Sequence, residues 1–142
     1  MKRQFLSLFI AFLFLGSLAK AQTAENWQPL TLNINGTNGF NGVDAHYALT
    51  TCNNNEIILL EITNHNNYPV KACWKDVVIS TVDQHLPYNN VQDSVMINPN
   101  TTIIGDCSGN NHQLVMKLTD FGILKEDFKA FMMNNFDFIV IH

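Results

Sequence analysis

Along most of the chain apolar residues recur at every second position, and turn-forming residues interrupt them at short intervals. A period of two sends alternate side chains to opposite faces of an extended strand, so the pattern predicts half-buried β structure. Leu30, Leu32 and Ile34 alternate with Thr31 and Asn33, which predicts an opening strand. Asn35-Gly36, Asn38-Gly39 and Asn41-Gly42 follow, and because both residue types tolerate positive φ they predict a turn-rich connector. Residues 57–63 form the clearest strand, with Ile58, Leu60 and Ile62 on one face and Glu61 and Thr63 on the other. Ile57 and Leu59 make the second face partly apolar, as in a strand with covered neighbours. After a break at 64–67, residues 68–79 place Val70, Ala72 and Trp74 inward and Lys71, Cys73 and Lys75 outward. Pro69 sits at the beginning of that strand, where no ladder donor is lost.

Residues 80–90 are polar and punctuated by Pro87 and Asn89-Asn90. Val95 and Ile97 predict a short strand, Asn98-Pro99-Asn100 a turn, and 101–104 a return to extended structure. Leu114, Met116 and Leu118 then alternate with Val115, Lys117 and Thr119, and 136–141 closes the chain with aromatic and β-branched residues. Between these, Leu124, Phe128, Phe131 and Met132 fit the spacing i, i+4, i+7, i+8, with Lys125, Glu126 and Lys129 opposite, which predicts one short helix. About seven short strands and one helix near the C-terminus make an all-β, two-sheet sandwich. Its expected core holds Ile58, Leu60, Ile62, Val70, Trp74, Leu114 and Leu118.

Strand 57–63, the turn at 64–67 and the tryptophan-bearing strand after it resemble the B and C strands of immunoglobulin-like and fibronectin-III-like domains, with Trp74 at the buried-tryptophan position. The resemblance is at the level of the fold, extends over about two-thirds of residues 22–142, and is shared with small exported bacterial proteins of unknown function. It implies that the second and fifth strands lie side by side and antiparallel. Cys52 precedes 57–63 and Cys107 follows 101–104, so the resemblance implies a Cys52–Cys107 disulfide at one end of one sheet. Cys73 is then a free thiol between Lys71 and Lys75.

Composition fixes the compartment this reading needs. Lys2 and Arg3 precede an apolar run over 5–18, broken only by Ser7, Gly16 and Ser17, and Ala19-Lys20-Ala21 sets small residues before a cut ahead of Gln22. Residues 1–21 therefore read as a secretory signal and 22–142 as one domain, periplasmic or secreted, with no membrane span after the signal is removed. The cut takes away Lys2, Arg3 and Lys20, so eight Lys and Arg fall to five against twelve Asp and Glu, a net charge of −7. No basic cluster remains, which argues against nucleic acid as a partner and leaves a protein or glycan.

One spacing suggests a metal. Cys107, His112 and Met116 resemble the copper loop of azurin-like cupredoxins, with His65 as the second imidazole, and such a site needs thiolate, imidazoles and thioether to converge. Three features depart from that family. Val70 stands where the Phe-Pro-His-Asn stretch would supply its histidine, Met116 falls on a core-facing position, and 26 residues follow it. The expectation is accordingly no cofactor and no metal, with His65, Cys107, His112 and Met116 as the alternative set. Asp44 with His46 and Asp83 with His85 each pair a carboxylate and an imidazole, but neither lies beside a recognisable nucleophile context. His142 stands alone. The sequence thus points to an exported binding or structural module rather than an enzyme, with a copper electron-transfer protein and a small hydrolase as alternatives. A hydrolase would gather at least two acidic and histidine side chains in one recess.

Overall fold

Alternating apolar residues in this chain close around a shared interior formed by two antiparallel sheets. The structure is a computed structural model that describes residues 26–32, 39–82 and 92–141, together with the backbone of 86 and 87. The signal segment 1–21, Ile34 of the opening strand, Asn35-Gly36, Asp83, His85 and His142 lie outside the described residues.

The strands in chain order are β1 (Gln28–Pro29), β2 (Gly39–Phe40), β3 (Val43–Cys52), β4 (Asn55–Asn64), β5 (Val70–Ser80), β6 (Leu86–Pro87), β7 (Asp93–Ile97), β8 (Thr101–Ile104), β9 (Val115–Lys117) and β10 (Phe128–Val140). One sheet runs β1-β3-β4-β8, with β2 also on β3 and β9 also on β4. The other runs β10-β5-β6, with β7 also on β5. Thr31 pairs in parallel with Met132, so the N-terminal segment leaves β3 of one sheet and touches β10 of the other. The fold is an all-β sandwich, and among the described residues seven strands are three residues or longer.

The core faces follow the period of two. On β4, Ile58, Leu60 and Ile62 are fully buried, and on β5 Val70, Ala72 and Trp74 are too. Leu30, Leu32, Leu114, Leu118, Phe131 and Met133 belong to the same cluster. A second, smaller cluster lies on the opposite face of the first sheet, where Cys52, Ile57 and Leu59 are covered by Trp27, Cys107 and Val115. That cover explains why both faces of β4 are apolar.

Three elements differ from the sequence expectation. The strand expected through 114–119 is limited to Val115–Lys117, with Leu114 and Leu118 buried in the 3-10 turns on either side. β3 was not foreseen, because Ala45, Ala48 and the pair Thr50-Thr51 dilute its alternation. Cys52 therefore closes a strand, and the hairpin turn Asn53-Asn54 carries it to β4. The expected helix over 124–132 is absent among the described residues; a 3-10 turn at Lys125–Asp127 leads directly into β10. Phe131 and Met133 alternate inward on β10, and an irregularity between Asn134 and Asp137 then shifts the buried position to Phe136. A strand with one displaced residue mixes odd and even apolar positions, and over this stretch the mixture imitates a helical period.

Asparagine has a defined use here. Among the described residues the non-glycine positions at positive φ are Asn41, Asn53, Asn54, Asn100, Asn111 and Asn135. Its short amide tolerates the left-handed region better than other side chains. Asn64 works differently: it is fully buried and ties two turns together. Its Nδ2 donates to the carbonyls of Tyr68 (2.9 Å), Asn98 (3.1 Å) and Ile97 (3.3 Å), and its Oδ1 accepts from the N–H of Asn66 (3.0 Å).

Candidate functional site

The inward row of β5 continues from Val70, Ala72 and Trp74 through Asp76, Val78 and Ser80, all of them buried. Asp76 is thus an acid on a core row, and only 2% of it is exposed. One reason for its position is local. The indole Nε1–H of Trp74 donates to Asp76 Oδ1 at 2.8 Å, and a buried indole needs such an acceptor. The second reason is across the ladder, where Trp74 opposes Asp93 on β7. Opposed residues share a face, so Asp93 projects to the same side as Trp74 and Asp76. Asp76 and Asp93 therefore project to one side of the second sheet. Burial, followed by the nearby Asp93 carboxyl, pushes the Asp76 carboxyl up to about 7, while the Trp74 indole acts in the opposite sense.

This pair opens on a recess of about 210 Å³ between β7, at one sheet edge, and β9, in the other sheet. Asp76, Asp93, His112, Gln113, Met116 and Asp120 line it, with Val115. None of these is Lys or Arg, so the recess holds three acids and one imidazole. A neighbouring hollow of about 250 Å³ shares Val115 and Asp120 and is bounded by Cys52, Cys107, Asp106 and Lys117. Cys52 and Cys107 are joined there in a disulfide, with Cα atoms 5.6 Å apart. The loop between β8 and β9 is set by its own chemistry. The Ser108 hydroxyl and N–H both donate to Asp106 and hold its carboxyl below the usual range. A Cβ on Gly105 would overlap the Leu114 carbonyl, so only glycine fits where the loop crosses its own return.

The residues singled out from the sequence separate into different places. Cys107 is covalently bound to Cys52, so its thiolate is not available to a metal. Met116 is 6% exposed and belongs to the core cluster. His65 Nε2 lies 2.8 Å from Asp44 Oδ2 on an exposed face, and His46 Nδ1 lies 3.4 Å from Glu61. Asp44 therefore pairs with His65 rather than with His46. Of the copper set only His112 and Met116 meet at one recess, and among the described residues no group of three His, Cys, Asp or Glu could hold a metal. Cys73 lies on the outward face of β5 as a free thiol, yet it is buried, with its Sγ toward the Lys71 carbonyl.

The recess itself was missed from sequence. A signal existed, because extending the alternation of β5 by one more step puts Asp76 on the same row as Trp74. Asp93 and Asp120 had no such mark; their neighbourhood depends on strand order. Asp76, Asp93, His112 and Asp120 gather at this recess, Asp44 and His46 are not among the residues that line it, and Asp83 and His85 lie outside the described residues. Comparison with protein-family models, with curated proteins and with solved structures finds no match to this chain.

Proposed function

We propose that this chain is an exported, immunoglobulin-like β-sandwich module that binds a protein or glycan partner through the loop end stapled by Cys52 and Cys107. The disulfide carries the reading. It fixes the β8–β9 loop to the end of β3, and a loop already held in place loses less entropy when it meets a partner. A disulfide suits an oxidising compartment, in keeping with the signal-like residues 1–21. Among the described residues no helix is long and apolar enough to cross a membrane.

Two measurements test this. Mass spectrometry of unreduced, alkylated secreted protein should show a chain beginning at Gln22, a Cys52–Cys107 link and one alkylated Cys73. A chain retaining Met1, or alkylation at all three cysteines, overturns export. Amide NMR titrated with panels of peptides and oligosaccharides should move signals from 53–55 and 105–120. Shifts confined to the outer face of the second sheet would place binding elsewhere.

A small hydrolase is the second reading, favoured by the acidic recess and its imidazole. It ranks second for two reasons. Among the described residues the recess lining includes no hydroxyl or thiol nucleophile, and Asp76 already accepts from Trp74. Turnover of simple esters or glycosides that disappears in both Asp93→Asn and His112→Ala would reverse the ranking.

A further inference from the structure

Strand β7 is held at its two ends by different chemistry. At its last residue, Asn64 takes the Ile97 carbonyl and the next one, Asn98. Those bonds come from an uncharged amide and do not titrate. At its first residue, Asp93 lies across the ladder from Trp74, on the same side as Asp76, and the two carboxyls line one recess. Asp76 is walled in by Trp74 on its own strand and by Met133, its partner on β10. The ionisable groups around it are Asp93 from β7, His112 from the 3-10 turn before β9 and Asp120 from the turn after it. β10 offers the apolar Met133 at this position, and Lys71 and Lys75 lie on the other face of β5. Among the described residues no Lys or Arg side chain therefore lines the recess to neutralise a second negative charge there. Two carboxylates cannot both ionise at hydrogen-bond range in such a place without moving apart.

We propose that β7 is a pH-gated flap, hinged at Ile97 by Asn64 and latched at Asp93 by a proton shared with Asp76, whose release opens the recess between β7 and β9. The latch strand pairs with β5 alone among the described residues, so its first residues separate without breaking a second ladder. Opening brings water to Trp74 and uncovers Met116, and it leaves the disulfide and the outer cluster, Val115 included, in place.

Amide hydrogen exchange of the oxidised chain tests this, with protection corrected for the intrinsic pH dependence of exchange. Between about pH 5.5 and about pH 8.5, protection at Asp93–Val95 should fall at least about tenfold while Ile97 keeps its own. Emission from Trp74, isolated by Trp27→Phe, should change with the same midpoint. Asp76→Asn supplies a permanently neutral side chain that still accepts from Trp74 and donates to Asp93, so it should stay latched at both pH values. Asp93→Asn, which removes the opposing charge, should also keep the strand protected at high pH, and it decides the matter if Asp76→Asn does not fold. Unchanged protection in the natural chain, or an equal fall in both variants, overturns the proposal.

Discussion

Asn64 and Asp76 are both buried polar side chains on inward rows, and the difference between them governs how this sandwich responds to its surroundings. Asn64 satisfies four backbone groups and carries no charge in either state, so its end of the molecule is knit by bonds that no pH change alters. Asp76 has an indole donor and another acid for company, and its burial favours the neutral form. A buried amide and a buried acid do the same geometric work in one protonation state only. Satisfied hydrogen bonds therefore do not by themselves make an interior robust; the charge state that satisfies them must persist.

The most damaging test of this contrast is Asn64→Leu, which leaves three carbonyls and the Asn66 N–H without their partner. It should cost about 3 kcal/mol, read by urea denaturation, with the same loss at about pH 5 and about pH 8. A pH-dependent loss would erase the distinction. Removing the disulfide as Cys52→Ser with Cys107→Ser should cost about 2–3 kcal/mol by the same measurement, because the link closes a long loop in the unfolded chain. It acts at the Asp76 end yet should leave the pH profile unchanged in shape, since neither cysteine titrates once bonded.

Asp76→Asn sharpens the comparison most directly. Folded Asp76 holds its proton more tightly than an unfolded aspartate, whose carboxyl titrates near 3.9. Its stabilising contribution is thus complete below about pH 4 and is lost as pH rises through about 7. The variant should match the natural chain within about 1 kcal/mol at acid pH, then exceed it by on the order of 2 kcal/mol above pH 8, as thermal melting across pH would show. A variant less stable at alkaline pH contradicts the sign. The smallest effect belongs to His65→Ala. It breaks an exposed pair with Asp44 and should change stability by less than about 1 kcal/mol, in a way that salt weakens further.

Much of the scaffold was legible because strands announce themselves locally. Ile58, Leu60 and Ile62 alternate cleanly, and their strand is where the pattern placed it, with β8 beside it antiparallel and Cys107 brought to Cys52. Where alternation was blurred, legibility failed for stated reasons. Alanines and threonines hid β3, and the irregular pairing at Asn134 to Asp137 gave β10 the look of a helix. The candidate site was less legible still. His112 and Met116 drew notice through their spacing from Cys107, but the partners that give the recess its character, Asp76, Asp93 and Asp120, come from three separate elements.

What the order of residues determines alone is which side chains share a face, since that depends on a backbone repeat of two and on turn residues that accept unusual φ. Which faces meet, and which strand becomes an edge, is settled only when distant segments pair. Pairing is what sets a carboxyl from β7 against one from β5 and gives a single strand one permanent anchor and one that depends on a proton. Local geometry carries no information about that encounter, because its energy comes from desolvation and from charges separated along the chain.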